Sequence, residues 1–207
     1  MKREDTFMFI TFEGGEGSGK TSIIEHVYNH FNQTKTIIVS REPGGSFIAE
    51  AIRRLVLDPE NSGMAYQTEA LLYAAARAQH LDDVLIPAFS DKDIVLCDRY
   101  IDSSFAYQGH ARGLGLDYIE KINDYAMQFL PKLTFYIDVD PEIGIGRIQS
   151  REKYDRLDQE AIEFHKKVRE GYLLIAKAYP ERVVVIDGHK PLEDVIAEII
   201  DILKRVI

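Results

Sequence analysis

The sequence has little of what a disulfide scaffold, a thiolate metal site or a membrane span requires. Cys97 is the only cysteine, which excludes an internal disulfide, and metal sites built on Cys or His need several such residues at fixed spacings. The apolar run near the start is broken by Thr11 and ended by Glu13, unlike a signal peptide or a membrane segment. We therefore expect a cytoplasmic protein without membrane contact, in which Cys97 is a small buried residue at a strand end.

Positive charge is scarce as well. The 25 Lys and Arg residues are outnumbered by 34 Asp and Glu residues, which gives a formal net charge of -9 at pH 7. Nucleic-acid binding needs clustered positive surface, so we expect no nucleic-acid partner. The 207 residues, 45% of them hydrophobic and 29% charged, fit one globular domain spanning 1–207.

Short β-branched and aromatic runs alternate with longer segments of helical period, which predicts an α/β fold with a five-stranded parallel sheet covered by helices on both faces. We predict strands at about 7–12, 36–40, 93–97, 133–139 and 182–187. We predict helices near 19–32, 46–57, 66–89, 102–110, 116–129, 141–150, 158–179 and 191–206. Ligands of such sheets bind beyond the carboxyl ends of the strands, so residues that follow each strand are the candidates for function.

A glycine-rich segment follows the first predicted strand and matches G-x-x-x-x-G-K-[ST], the phosphate loop. Glycines let the backbone turn tightly, so that N–H groups and the next helix's N-terminus point at phosphate oxygens. Lys20 can neutralise β and γ phosphates, and the Thr21 hydroxyl suits magnesium. We predict a nucleoside triphosphate site made of Gly14, Gly15, Glu16, Gly17, Ser18, Gly19, Lys20 and Thr21.

The loop alone leaves GTPases, ATP-driven machines and small kinases open. A GTPase is disfavoured because N-K-x-D is missing, and a motor ATPase is usually longer. After the third strand, Asp98 occupies a position that holds magnesium or its waters in phosphate-loop enzymes. One arginine is more often a surface ion pair, but several near consecutive strand ends predict a second anion site: Arg41, Arg53, Arg54 and Arg99.

Five segments in order, FEGGEGSGKT, REPGG, TEALLYAAARAQH, CDRYIDSSFAYQG and DRLDQE, resemble the bacterial thymidylate kinase family from Phe12 to the last helix. The resemblance implies a P-loop NTPase fold with three layers. It also implies a magnesium-dependent transfer of the γ-phosphate of ATP to dTMP, giving dTDP, by a homodimer.

The resemblance also implies which residues bind the thymidine part of dTMP. An aromatic ring at Tyr73 stacks on thymine, and Arg77, four residues further on the same helix face, donates to O4. Ser104 and Gln108 read the N3–H and O4 edge, and Tyr107 crowds the 2′ position in favour of deoxyribose.

By the same resemblance, the acceptor phosphate contacts fall on Arg53 and Arg99. Glu16, a carboxylate inside a phosphate loop, is repelled by phosphate unless it meets a donor, and the family supplies the 3′-hydroxyl of the acceptor sugar. We expect Lys20 and Arg99 to act in catalysis.

The segment at about 144–157 resembles the family's lid. Some members of the family carry a catalytic arginine in the phosphate loop, but this loop has none. The resemblance to the bacterial type therefore implies that the lid supplies it, and we predict Arg147 and Arg151 for that role. We predict Arg156 to be structural, beside neighbouring aspartates. The alternative for each lid arginine is an ordinary solvated helix face.

Two other functions compete with this interpretation. Another phosphate-loop kinase, acting on a nucleoside or a different monophosphate, would explain the loop, Asp98, Arg99 and the lid, but not the base-contacting set. A non-catalytic nucleotide-binding regulator would be expected to have a damaged Lys20-Thr21 pair or to lack the lid. The sequence has an intact Lys20-Thr21 pair and a segment that resembles the lid.

Overall fold

Five parallel strands form the central sheet of the part of the chain that the structure, a computed structural model, describes: residues 7–91, 93–148 and 155–207. The strand order is β2-β3-β1-β4-β5. The strands are β1 (Met8–Glu13), β2 (Ile37–Arg41), β3 (Ile94–Asp98), β4 (Leu133–Asp138) and β5 (Val183–Asp187). The predicted α/β class and all five strands are confirmed. The three central strands β1, β3 and β4 are almost wholly buried, and strands buried on both faces read as short apolar runs.

Ten α-helical segments connect these strands in the described residues. They are α1 (Lys20–Phe31), α2 (Phe47–Leu57), α3 (Tyr66–His80), α4 (Ile86–Ser90), α5 (Ile101–Ser104), α6 (Leu116–Ile122), α7 (Asp124–Met127), α8 (Pro141–Ile148), α9 (Ile162–Ala178) and α10 (Leu192–Leu203). A short 3-10 turn follows α2 at Pro59–Asn61. Within the same residues, no helix combines the length and the apolar character that crossing a bilayer requires.

The sheet separates two apolar layers because side chains of a strand alternate between its faces. Ile10 and Phe12 of β1 pack in one layer with α1 and α10. Phe9 packs in the opposite layer with α4 and with Leu81 and Leu85, which precede α4. Cys97 is fully buried in this second layer near the end of β3, as predicted.

Two predicted helices are interrupted. The helix predicted at 66–89 contains a π-helical turn at Leu81–Leu85, where the N–H of Ile86 donates to the Leu81 carbonyl five residues back. Pro87 follows and has no N–H to donate, which favours such a change of hydrogen-bond pattern. The helix predicted at 116–129 breaks at Asn123, whose buried side chain accepts a hydrogen bond from Arg77 of α3.

The helix predicted at 102–110 also changes pattern, from α5 to a π-helical segment at Phe105–Ala111. The last two residues of the helix predicted at 141–150 lie outside the described residues, as do 151–154 of the predicted lid.

Candidate active site

The carboxyl ends of three adjacent strands bring the predicted site residues together. In the sheet, Arg41 at the end of β2 pairs with Asp98 at the end of β3, and Asp98 pairs with Phe12 near the end of β1. The phosphate loop therefore starts beside the Asp98-Arg99 turn and the REPGG turn. This placement follows the rule for parallel sheets, in which ligands bind beyond the carboxyl edge.

The phosphate loop, Gly14 to Thr21, closes around the Lys20 ammonium group. Nζ of Lys20 donates to the carbonyls of Gly14 at 3.0 Å and Gly15 at 3.1 Å, and to Oγ of Ser18 at 3.0 Å. The backbone turns at Gly14, where φ is 152°. A side chain at this position would collide with the carbonyl oxygen of Ile137, so the turn requires glycine. Burial, followed by the charge of Arg99, lowers the pKa of Lys20 to about 8.

Helix α8 packs directly on the phosphate loop through two glycines. A Cβ on Gly17, where φ is 65°, would lie 2.0 Å from the Gly144 carbonyl oxygen. Conversely, a Cβ on Gly144 would lie 2.2 Å from the carbonyl oxygen of Glu16. Arg147 extends from the same helix, and its guanidinium donates to the Gly17 carbonyl at 3.2 Å. The absence of side chains here allows a helix backbone to touch a loop backbone.

This contact predicts a difference between two glycines of one helix. We expect Gly144→Ala to raise KM for ATP and to lower the free energy of unfolding by about 1–3 kcal/mol, because its methyl group must displace the loop. Gly146→Ala is the matched control: nothing lies within 4 Å of its Cβ position, so it should keep activity and stabilise α8 by about 0.5–1 kcal/mol. Urea unfolding and steady-state kinetics measure both. Equal behaviour of the two variants would contradict the contact.

A cavity faces the phosphate loop, and we call it the acceptor cavity. Its lining includes every residue that the resemblance assigned to the acceptor: Glu16, Arg53, Tyr73, Arg77, Arg99, Ser104, Tyr107 and Gln108. Two arginines of the predicted second anion site, Arg41 and Arg54, do not line it, and Arg41 is instead largely exposed and paired with Glu50. A second, more polar cavity lies over the phosphate loop and is lined by residues that include Lys20, Thr21, Asp98 and Arg147. Five residues line both cavities, so the two spaces meet at Glu16, Glu42, Arg53, Arg99 and Asp155.

Arg77 organises one end of the acceptor cavity. Its Nε donates to Glu42 at 2.7 Å, its Nη1 to Ser104 at 3.0 Å and to Asn123 at 2.6 Å, and its Nη2 to the Tyr100 carbonyl at 3.0 Å. Only 2% of this side chain is exposed. Of its five N–H groups, the described contacts use four, which leaves one Nη2 hydrogen for a ligand.

Gln108 and Ser104 complete this end with fixed partners. Nε2 of Gln108 donates to Oε1 of Glu69 at 2.9 Å, and among the described residues its amide oxygen has no donor. Oγ of Ser104 accepts from Arg77, so its own hydrogen is available. This end of the acceptor cavity, lined by Arg77, Ser104 and Gln108, is called the base end below. It presents one hydrogen-bond acceptor and two donors.

The other end of the cavity holds a close group of charges. Arg99 Nη2 donates to Oε1 of Glu16 at 2.7 Å, and the Tyr107 hydroxyl donates to the same oxygen at 2.9 Å. Burial opposes ionisation of Glu16, but the charges of Arg99 and Lys20 outweigh it and lower its pKa. Arg53 lies nearby and donates to the Pro43 carbonyl at 2.7 Å. Two guanidinium groups thus face the phosphate loop across the Glu16 carboxylate.

Glu13, the last residue of β1, is a buried acid that we did not predict as a site residue. Its Oε1 accepts from the Tyr100 backbone N–H at 2.7 Å, and its Oε2 accepts from Ser103 at 2.6 Å and from Tyr172 at 2.8 Å. The hydroxyls of Ser103 and Tyr172 also contact Nη1 of Arg99. Glu13 therefore holds the two side chains that support Arg99.

Glu13 should give the fold a pH-dependent stability. Burial, followed by the charge of Asp102, raises the pKa of Glu13 from 4.5 to about 7. The folded state then binds this proton more tightly than the unfolded state, so stability falls as pH rises from about 4.5 to 7. We expect wild type to lose on the order of 2 kcal/mol relative to Glu13→Gln between pH 5 and 7.5, measured by urea unfolding. A pH-independent difference between the two proteins would contradict this.

The remaining predicted residues have mixed outcomes. Arg151 lies outside the described residues. Arg156 is buried, but its guanidinium donates to Glu69 and to the Val56 carbonyl rather than to neighbouring aspartates. Glu42, Glu69 and Asn123 were not predicted from the sequence, although each holds a side chain of the base end.

A phosphate loop that faces a guanidinium-lined cavity across the ends of parallel strands defines a class, the phosphate-loop kinases of the nucleoside monophosphate kinase type. Within that class, the family model described as thymidylate kinase matches residues 12–199. The chain belongs to the thymidylate kinase family.

Relatives and a solved structure agree with this assignment. The chain is 54% identical to thymidylate kinase of Acholeplasma laidlawii (strain PG-8A) over 202 residues, which cover 96% of this chain and 100% of the relative. It is 52% identical to thymidylate kinase of Geobacillus thermodenitrificans (strain NG80-2), with 92% and 86% covered. A crystal structure of thymidylate kinase from Ehrlichia chaffeensis superimposes with a TM-score of 0.79 at 33% identity, with 97% and 99% covered.

Proposed function

We propose that this chain transfers the γ-phosphate of ATP to dTMP and releases dTDP and ADP. Its membership of the thymidylate kinase family supports the reaction. The observation that carries the choice of acceptor is the polarity of the base end, where one acceptor and two donors converge. Thymine has an N3–H donor beside an O4 acceptor, which this pattern complements.

Each atom of the thymine edge has a candidate partner. The amide oxygen of Gln108 accepts from N3–H, and the Ser104 hydroxyl and the spare Nη2 hydrogen of Arg77 donate to O4. Tyr73, which lines the same cavity, supplies a ring for stacking. Bases with the opposite polarity would leave these buried groups unpaired, which is an effective way to reject a wrong substrate.

The acceptor phosphate binds at the other end, against Arg53 and Arg99, by this proposal. A phosphate competes with Glu16 for the Arg99 guanidinium, which frees the Glu16 carboxylate to accept from the 3′-hydroxyl of the sugar. Tyr107 lies against the same carboxylate and limits the space at the 2′ position. Bidentate guanidinium contacts suit phosphate because their planar forks match its oxygens.

The donor ATP binds over the phosphate loop. Phosphoryl transfer requires little covalent work from a protein, so positioning and charge neutralisation supply most of the catalysis. Lys20 neutralises the phosphates from inside the loop, and Arg147, already hydrogen-bonded to the Gly17 carbonyl, lies at its outer side. We assign the second lid contribution to Arg151.

Residues at the phosphate loop fit a magnesium ion. Oδ1 of Asp98 is buried without a hydrogen-bond partner, and Asp98 and Thr21 line the same polar cavity. Within the described residues there is no cluster of three or more Asp, Glu, His or Cys side chains for a metal, which suits Mg²⁺ because it keeps waters and phosphate oxygens as ligands. Bound Mg²⁺ would neutralise phosphate charge. Chelation with EDTA should abolish turnover, and added Mg²⁺ should restore it.

A coupled assay with purified protein tests the proposed reaction. ATP is supplied with dTMP, dCMP, UMP, AMP or thymidine, and ADP release is followed. We expect dTMP to give the highest kcat/KM, because each rival lacks one feature that the cavity fits. UMP has the same base edge but carries a 2′-hydroxyl on the side of Tyr107, dCMP and AMP lack that edge, and thymidine lacks the phosphate. Equal or better turnover of another acceptor would overturn the substrate assignment.

We also propose a cytoplasmic homodimer built from one domain per chain, residues 1–207. Apolar side chains on α2 and α3 support a protein interface: Ile48, Leu55, Tyr66 and Leu71 are each about half exposed, at 48–50%. ATP and nucleoside monophosphates are cytoplasmic metabolites, which supports the location.

Two measurements test the oligomeric state and the domain count. Sedimentation equilibrium should give twice the chain mass, and a monomer would contradict the homodimer. Calorimetry should show a single unfolding transition, and two transitions would contradict the single domain.

A further inference from the structure

We propose that Glu69 is a positioning residue that fixes the hydrogen-bonding polarity of the base end and so favours dTMP over dCMP. Glu69 is fully buried on α3 and makes no part of the cavity lining. It acts through Gln108, whose amide group it holds. The inference rests on the proposed function, because it concerns the same acceptor cavity.

Gln108 is the ambiguous member of the base end. A side-chain amide has an acceptor oxygen and a donor NH₂, and rotating it by half a turn exchanges them. Arg77 has no such freedom, because a guanidinium only donates hydrogen bonds. The Ser104 hydroxyl is different, since it can rotate to suit its partner. The orientation of Gln108 therefore decides whether the pocket offers an acceptor or a donor to the N3 position of a base.

Glu69 removes this ambiguity because an ionised carboxylate only accepts hydrogen bonds. Its Oε1 lies 2.9 Å from Nε2 of Gln108. The opposite orientation would place the amide oxygen of Gln108 against the carboxylate, with two acceptors in contact and no hydrogen between them. Gln108 thus presents its oxygen to the cavity whether or not a ligand is bound.

Two guanidinium groups keep Glu69 ionised and in place. Arg112 donates to its Oε1 at 3.3 Å and to its Oε2 at 3.1 Å, and Arg156 donates to its Oε2 at 2.6 Å. The Arg112 guanidinium is itself held over the Phe164 ring at 4.3 Å. Burial would raise the pKa of Glu69, but the hydrogen bond from Gln108 and the charges of Arg112 and Arg156 outweigh it and lower the pKa.

Cytosine presents the reverse pattern. Its N3 is an acceptor and would oppose the Gln108 oxygen, and its 4-amino group would meet the Arg77 donor. A pocket that leaves such groups unpaired discriminates strongly. If Gln108 could turn, it would donate to N3 of cytosine and part of the discrimination would be lost. Glu69 prevents that turn.

The test compares kcat/KM for dTMP and for dCMP in wild type, Glu69→Gln and Arg112→Gln. In Glu69→Gln the new amide can donate as well as accept, so Gln108 can turn. We expect the dTMP to dCMP ratio to fall about 10- to 100-fold. Arg112→Gln is the matched control, because it weakens the same buried cluster but keeps a carboxylate acceptor at Glu69. Its ratio should stay within about threefold of wild type.

A double variant, Glu69→Gln with Arg112→Gln, restores charge balance if the single Glu69→Gln protein folds poorly, and its reference is Arg112→Gln alone. The proposal is overturned if the ratio is unchanged after Glu69→Gln, or if Arg112→Gln lowers it as much. A wild-type protein that does not use dTMP would instead defeat the proposed function, so the two failures are distinguishable.

Discussion

Replacing Lys20 with alanine should lower kcat about a thousandfold or more, because the phosphate loop loses the cation that meets the developing charge of the transferred group. Nζ of Lys20 is held by the loop carbonyls of Gly14 and Gly15, so the charge is already in place before ATP arrives. No other lysine lines the cavity over the loop among the described residues. A rapid coupled assay at saturating ATP and dTMP measures the loss.

Lys204→Ala is the control for this prediction. Lys204 lies at the end of α10, is exposed and contacts the side chain of Asp201. Its removal should leave kcat unchanged within twofold and show that the loss of one lysine does not by itself impair the fold. Activity of Lys20→Ala within a few fold of wild type would mean that the phosphate loop does not act as proposed.

Arg99 should have the second largest effect, and it combines a functional with a conformational role. Arg99 has φ 68°, a left-handed conformation that is rare outside glycine, and its N–H donates to the Phe12 carbonyl at 3.0 Å. The turn brings the guanidinium to Glu16 at 2.7 Å, at the junction of the two cavities. Backbone strain at this position therefore serves to aim one side chain.

Two substitutions separate these roles. Arg99→Ala and Arg99→Gly both remove the guanidinium, so both should lower kcat/KM for dTMP about 100- to 1000-fold. Arg99→Gly should be more stable than Arg99→Ala by about 1 kcal/mol, because glycine adopts a left-handed φ without steric cost. Steady-state kinetics and urea unfolding give the two values. Different activities but equal stabilities would contradict both parts of this account.

Much of the fold could be predicted because its signals are local. Each strand is a short run rich in apolar residues, and the structure confirms all five strands with bounds within one or two residues. The helix break at Asn123 could not be predicted this way. The Asn123 side chain accepts from Arg77, 46 residues earlier in the chain, and only the tertiary fold brings these two together.

The site divides in the same manner. The phosphate loop and the arginines after β2 and β3 follow from a motif and from the position of strand ends, which sequence shows directly. The buried acids that support the site, such as Glu69, cannot be predicted from a motif or from strand ends. Glu69 looks like an ordinary acid in the first turn of a helix, where the dipole favours it, yet its partners Arg112 and Arg156 lie 43 and 87 residues away. Glu13 alone gave a signal, as a charge that ends an apolar strand.

The hydrogen bonds that hold Arg77 have a consequence for inhibitors. Four of its N–H groups are engaged by Glu42, Ser104, Asn123 and the Tyr100 carbonyl without any ligand, so the base end is rigid before substrate arrives. A preorganised site loses little conformational entropy when a ligand binds. A neutral heterocycle with the acceptor and donor arrangement of thymine can therefore gain affinity at this end without carrying a phosphate, and hence without the charge that keeps nucleotides from crossing membranes.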